Sequence, residues 1–338
     1  MQAGEMRAVG ATGLSVSVLG MGCASLGGLY APAPAETCQD ALQAAWDAGI
    51  RYFDAAPMYG LGRAEHMLGY FLRERVGGDA SAVVSTKVGR LMTLPRPGRA
   101  LPPEAPKNPL DAGWSNGLPF REVFDYGYDA IMRSFDDSQQ RMGRASLDLL
   151  FVHDIGRLTH AGEEADRHWT ALTKGGGFRA LEELRSAGLI KGFGLGVNEA
   201  EVLTEAMEEA DLDCSLLAGR HTLLEQNATD LLDRAKARNM AVVIGGVFNS
   251  GVLAAAGGGN RKFNYGDVPE AVARKVEHLR SVCDRFDVPL PAAAIQFPLR
   301  HPAVTSVLIG AKHPDRVRQN VAWFEQPLPE DLWPALDL

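Results

Sequence analysis

The chain has 338 residues, 46% of them hydrophobic and 22% charged, with a formal net charge of −8. That length suits one large α/β barrel or two ordinary domains, and the apolar share excludes global disorder. The acidic balance and the lack of a dense basic cluster argue against nucleic acid or an anionic membrane as a partner.

Along the chain, the N-terminus lacks the basic region and apolar core of a signal peptide. No apolar run reaches the roughly eighteen residues of a spanning helix. Cys23, Cys38, Cys214 and Cys283 are scattered and form no C-x-x-C pair. They fit free thiols in a reducing compartment, so a cytoplasmic protein is expected. Residues 6–9 and 14–18, around Thr12-Gly13, predict a small hairpin capping the floor of a barrel.

Strand-like runs then alternate with helix-like stretches. Strands are expected at 16–22, 51–54, 82–87, 147–153, 190–197, 214–218, 241–245 and 306–309. Helices are expected at 37–48, 64–73, 126–142, 177–187, 200–210, 229–238, 269–286 with 292–300, and 314–323. Eight βα units is the count of a closed parallel barrel, so the fold class is α/β, a (β/α)8 TIM barrel, read as a single domain over 1–338 with long βα loops. The strands are short and continuously apolar, as strands buried on both faces must be. Gly49, Gly188 and Asn239 stand where left-handed helix stops belong.

Three long loops, 89–124, 154–177 and 246–268, all follow strand C-termini, where such loops form substrate walls or lids. Trp114, Phe120, Trp169, Phe263 and Tyr265 in them are costly aromatics to leave in solvent. Gly257-Gly258-Gly259 reads as a flexible loop, not a phosphate cradle.

The chemistry concentrates at three consecutive strand ends. Phe53-Asp54-Ala55-Ala56-Pro57-Met58-Tyr59-Gly60 places an acid and a phenol just after the second strand. Lys87 ends the third strand and His153 the fourth. A phenol with a pKa of about 10 is a poor proton carrier at neutral pH, and a neighbouring ammonium lowers that value. Asp54 would hold Lys87 charged, Lys87 would tune Tyr59, and His153 would orient a carbonyl oxygen. Such a site exchanges a proton with a substrate oxygen and needs no metal. Singly, each residue also has a bland reading as a turn cap, packed loop residue, solvated strand end or satisfied histidine. Their joint placement on one face favours chemistry.

Asp54, Tyr59, Lys87 and His153 together resemble the catalytic tetrad of the aldo-keto reductases. The run Ile309-Gly310-Ala311-Lys312-His313-Pro314-Asp315-Arg316-Val317-Arg318-Gln319-Asn320 is similar to that family's nucleotide-binding signature. The Gly13 region, the run from Asp47 to Ala56 and the strand from Gly192 to Asn198 agree, so the likeness spans essentially the whole chain. It implies hydride transfer between a nicotinamide and a carbonyl or alcohol carbon. Tyr59 would be the proton donor in reduction and the base in oxidation. It also implies a cofactor held by Gly22, Cys23, Ala24, Asp54, Asn198, Gly246, Phe248, Asn249, Ser250, Gly251, Ile309, Gly310, Ala311, Lys312, Arg316, Gln319 and Asn320. Tyr30, Met58, Tyr59, Trp114 and His153 would meet substrate. No Rossmann fingerprint opens a helix after the first strand, as that family would have it.

Some positions depart from the family pattern. Many relatives carry Lys-Ser at Gly310-Ala311, where those residues grip the 2′-phosphate of NADP. Their loss removes charge-assisted contacts, which Lys312 would partly replace, so the reading leans to NAD with NADP as the alternative. The stacking tyrosine of the seventh strand is absent at Gly245, and Asn198 would serve from a shifted place. The branch most similar includes aldose 1-dehydrogenases and pyridoxal 4-dehydrogenase.

The leading expectation is therefore oxidation of an aldose (L-fucose, L-galactose or D-threo-aldose type) at C1 to a lactone. The alternative is a pyridoxal dehydrogenase or general aldehyde reductase, favoured if Trp114, Trp169 and Phe263 face the pocket. A nucleotide-sensing regulatory subunit is a remote third reading. A metal hydrolase with His153-Asp154, His160 and His168 as ligands is set aside because His160 and His168 read as loop residues and no second strand supplies a histidine. The partner is a small molecule, and monomer or homo-oligomer is left open.

Overall fold

The computed structural model describes residues 1–77, 81–94, 113–254, 262–264 and 266–338. Eight parallel strands close into a barrel: β1 Leu19–Gly22, β2 Tyr52–Asp54, β3 Val83–Val88, β4 Leu149–His153, β5 Gly192–Val197, β6 Cys214–Ala218, β7 Ala241–Gly245 and β8 Val304–Gly310. Each pairs with the next in sequence, and β8 pairs with β1 (Ile309 beside Met21) to shut the ring. The expected (β/α)8 barrel is present.

Around it run α1 Ala35–Asp47, α2 Arg63–Tyr70, α3 Tyr128–Met142, α4 Glu163–Thr173, α5 Gly177–Ser186, α6 Ala200–Glu209 and α7 Thr229–Ala237. The chain continues through α8 Glu270–Arg285, α9 Leu290–Gln296, α10 Pro314–Glu325 and the short α11 Leu332–Ala335. Helix α3 shows why such segments are helical. Ala130, Ile131, Ser134, Phe135, Ser138 and Met142 recur at three- and four-residue steps and are all buried. Gly143 ends it at φ 63°. The expected stops Gly49, Gly188 and Asn239 also adopt positive φ, of 84°, 73° and 56°.

Two apolar layers fill the ring and its shell. Inside, Tyr52, Val83, Leu149, Phe151, Cys214, Leu216, Val243 and Leu308 pack together with Val9 and Val16 of the N-terminal hairpin. That hairpin, Met6–Ala8 against Ser15–Ser17, contributes these two buried residues to the strand starts. It splits the expected first strand of 16–22. Residues up to Ser17 pair with the hairpin, and only Leu19–Gly22 enters the barrel.

Other differences lie in the long loops. Residues 154–177 contain α4, so His168 is helical and not in a loop. The described ends of the 89–124 loop form an antiparallel hairpin, Arg90–Thr93 with Arg121–Phe124. Gly257-Gly258-Gly259 and Tyr265 lie outside the described residues. Among the described residues, no helix is long and apolar enough to cross a membrane.

Candidate active site

The strand ends set the site. Ser85 Oγ donates to Asp54 Oδ1 at 2.7 Å, and Lys87 Nζ reaches Asp54 Oδ2 at 2.6 Å and the carbonyl of Ala55 at 2.9 Å. Lys87 can run inward because β5 leaves it room. A Cβ on Gly196 would lie 3.3 Å from Lys87 Cε. The ammonium then sits 4.6 Å from the centroid of the Tyr59 ring. The ring of His153 meets Tyr59 edge-on at 5.9 Å, and the Trp114 ring lies tilted to it at 5.8 Å. The four residues of the expected tetrad thus share one site.

Their ionisation is set mainly by burial. Burial pushes the Tyr59 phenol above its usual range, and Lys87 pulls it back without winning. This corrects the expectation that the amine makes Tyr59 net more acidic. Desolvation opposes the Lys87 charge, but Asp54 and Tyr59 together hold its pKa above the usual range. The Asp54 carboxyl is pushed up by burial and pulled back by Lys87 and Ser85. Burial, with Arg90 and Lys87 adding to it, holds His153 well below its usual value, so its ring is neutral at pH 7.

A cleft of about 770 Å³ runs from Tyr59 and Asp54 across the strand ends to α10. Gly22, Ala24, Asn198, Gly246, Phe248, Asn249, Ser250 and Gly251 line it, with Ile309, Gly310, Arg316, Gln319 and Asn320 at the far end. All were expected to contact cofactor. Three others were too, and the structure places them elsewhere. Cys23 is fully buried, with Sγ turned to the carbonyl of Met21. Ala311 is buried in the apolar core. Lys312 is tied to the carbonyls of Ala31 and Pro32 and lines a neighbouring surface concavity with His313 and Asp315. Sequence reasoning missed Arg280, Asp284 and Pro289 to Pro291, because α8 and α9 carry no motif that announces them, and Trp323, which lies on α10 just past the run that was read.

The cleft fits a nicotinamide dinucleotide. Its volume is in the range of cofactor sites. Among the described residues, both amide atoms of Asn249 are buried there without a partner. A group with donors and acceptors along the cleft is what such an amide lacks.

A second, smaller pocket of about 90 Å³ adjoins it, sharing Ala24, Leu29, Tyr59, Asn198, Leu216 and Ala218. Met58 and Trp114 line it as expected, together with Lys87 and His153. Tyr30 does not. It lines the large cleft at φ 64°, with Lys262 Nζ 5.0 Å from its ring. Trp169 and Phe263 pack against the core clusters and are not among the pocket walls. Arg90 and Asp154 are in this pocket; motif reading did not raise Arg90, and it raised Asp154 only as a metal ligand beside His153.

His160 and His168 form a packed box behind the site. Their rings lie 4.4 Å apart, and His160 Nε2 shares a 3.0 Å hydrogen bond with Tyr126 Oη. With Glu164 they bring possible ligand atoms to within 4.8 Å of one another. Ligands around a tetrahedral zinc sit about 3.3 Å apart, so ring packing describes the cluster better.

The aldo/keto reductase family model matches residues 18–338. The chain belongs to the aldo/keto reductase family. As a member of it, this protein is an oxidoreductase of small carbonyl or alcohol substrates that uses a nicotinamide nucleotide. It is 60% identical to the pyridoxal 4-dehydrogenase of Microbacterium luteolum, over 99% of this chain and 97% of that one. It is 38% identical to the D-threo-aldose 1-dehydrogenase of a Pseudomonas species, over 97% and 95% of the two chains. Among solved structures, the glycerol dehydrogenase of Gluconobacter oxydans superposes with a TM-score of 0.73 at 21% identity, covering 100% of this chain and 95% of that one. That last likeness speaks for the fold alone. The branch expected from the sequence is the branch found.

Proposed function

We propose that this aldo/keto reductase is an NAD-dependent dehydrogenase that oxidises a cyclic hemiacetal of the pyridoxal type to its lactone. The observation that carries the reading is the 60% identity to a pyridoxal 4-dehydrogenase along almost the whole chain. The small pocket supports it. Tyr59 and Trp114 offer flat apolar faces beside a polar corner, which suits an aromatic ring better than a polyol. This moves the preferred substrate from aldose to the pyridoxal alternative. Pyridoxal and aldoses share the reacting group, since an aldehyde beside a suitably placed hydroxyl closes to a hemiacetal.

In this reading Tyr59 accepts the proton of the hemiacetal hydroxyl as hydride leaves the carbon that bears it. The bound nicotinamide ring supplies the hydride acceptor. Lys87, held charged by Asp54, favours the phenolate that Tyr59 must become. His153, neutral, hydrogen-bonds the same substrate oxygen and fixes its direction. Trp114 and Leu29, bridged strand-to-strand, exclude water from the reacting face.

The preference for NAD follows from the far end of the cleft. Lys312 is committed to main-chain carbonyls, and Arg316 Nη1 is engaged by Gln319 Oε1 at 2.5 Å.

The test is an initial-rate panel read at 340 nm. Pyridoxal, L-fucose, L-galactose and D-arabinose are each offered with NAD and with NADP. Pyridoxal with NAD is expected to give the highest kcat/KM. No turnover of pyridoxal would reject the substrate, and turnover of aldoses alone would establish the second reading, an aldose 1-dehydrogenase, which the 38% relative supports.

A further inference from the structure

We infer that the Arg90–Asp154 ion pair is a positioning unit that keeps His153 neutral against the substrate oxygen and aims the Asn198 amide into the nucleotide cleft. Its kinetic arm rests on the dehydrogenase reading above, and its spectroscopic arm does not.

Arg90 is 1% exposed, an unusual place for a guanidinium. It follows Lys87 by three residues. Gly89, at φ 96°, turns the chain so that Lys87 and Arg90 enter the same pocket. Arg90 Nη2 bonds Asp154 Oδ2 at 2.5 Å, Nη1 reaches Glu122 Oε2 at 3.2 Å, and the guanidinium carbon lies 4.9 Å from the Phe124 ring centroid. Glu122 and Phe124 belong to the hairpin strand that the long loop after β3 adds. The loop therefore carries the anchor of the pair.

Asp154 directly follows His153 and is held at φ 45°, a region only a few residues adopt without support. Its Oδ2, the atom Arg90 grips, is 3.5 Å from His153 Nε2. Its Oδ1 accepts from Asn198 Nδ2 at 3.1 Å. A carboxylate only accepts, so the amide nitrogen of Asn198 must face it. The amide oxygen is then the atom left for the cleft, which Asn198 lines. One carboxylate thus orients a residue of the substrate pocket and a residue of the cofactor cleft.

Charge explains why the pair is needed. A bare carboxylate 3.5 Å from an imidazole would favour the imidazolium. The groups facing His153 are Lys87, Arg90, Asp154 and the Tyr59 ring. Asp54 stands behind Lys87, Glu122 behind Arg90, and Tyr126 donates to the His153 carbonyl at 2.9 Å. Within that set Arg90 is what neutralises Asp154. Without it the Asp154 charge is left uncompensated beside the ring and pulls the His153 pKa upward, against the burial that is the larger cause of its low value.

The test follows the His153 ring by NMR in histidine-labelled protein, with His153→Asn assigning the signal. In the natural protein the ring should not titrate between pH 5.5 and 8. In Arg90→Met the pKa should rise, so that a titration enters this window from its acid end. The double variant Arg90→Met with Asp154→Asn should be silent again, because the unpaired charge is gone. In kinetics, Arg90→Met should gain an at least tenfold dependence of kcat/KM on pH between 5.5 and 7.5, and Arg90→Lys should remove most of it. A merely structural role would lower the melting temperature and kcat without a new ionisation. If Arg90→Met does not fold, Asp154→Asn decides the matter: it should raise the cofactor KM at least tenfold with a smaller change in kcat. A silent His153 in folded Arg90→Met, or an unchanged cofactor KM in Asp154→Asn, overturns the inference.

Discussion

Tyr59 is the side chain whose removal should cost most. A phenol that carries the proton is worth on the order of 10²–10⁴ in rate. Tyr59→Phe is expected to lose that factor in kcat while its dissociation constant for NAD, read by fluorescence quenching, stays within about threefold. A kcat within tenfold of the natural protein would reject the role. The raised pKa of Tyr59 also fixes a sign. Oxidation needs the phenolate, so kcat/KM for oxidation should climb with pH through the neutral and alkaline range. Reduction needs the phenol and should stay flat until pH passes the raised value. A pH profile in both directions checks this, and an oxidation rate that falls as pH rises would contradict it. The tetrad was legible because each member ends a strand in a readable run. Arg90 was not, and Asp154 was weighed only as a metal ligand beside His153, because their partners are far away in sequence: Asp154 follows the neighbouring strand β4, and Glu122 stands at the far end of the same loop as Arg90. Cys23 and Lys312 misled because a motif gives positions along the chain and not the direction of a side chain.

Elements carried the signal well where burial is symmetric. The expected strands at 214–218 and 241–245 coincide with β6 and β7, because strands buried on both faces read as apolar runs between polar turns. The first strand was read too long, since one apolar run serves the floor hairpin and then the barrel. Helix α4 was missed because it buries only Ala165 and Leu172, too few positions for a period to show. The turn at Gly89 makes a prediction at this scale. A Cβ there would lie 2.3 Å from Tyr126 Cε1, at a φ that side chains rarely adopt. Gly89→Ala should cost roughly 1–3 kcal/mol through overpacking and strain. At roughly 2–4 °C per kcal/mol, calorimetry should show a melting temperature several degrees lower. An unchanged melting temperature would mean that the loop moves aside freely.

At the scale of the whole molecule, the barrel brings residues from five strand ends to one mouth. Tyr59 and Asp54 come from β2, Lys87 from β3, His153 from β4, Asn198 from β5 and the phosphate end of the cleft from β8. The large cleft and the small pocket share Tyr59 and Asn198, which is where the proposed reaction would bring a nicotinamide and a substrate together. The fold and this meeting point could be read from the chain. The choice between a flat ring and a polyol could not, because Trp114 reaches Tyr59 only through a long loop whose path no local pattern dictates. The most direct measurement is a crystal structure of the protein with NAD and pyridoxal. The reacting carbon is expected about 3–3.5 Å from the nicotinamide C4, with its oxygen within hydrogen-bond reach, about 2.6–3.2 Å, of both Tyr59 Oη and the His153 ring. A nicotinamide bound away from Tyr59, or a substrate oxygen out of reach of the phenol, would contradict the account.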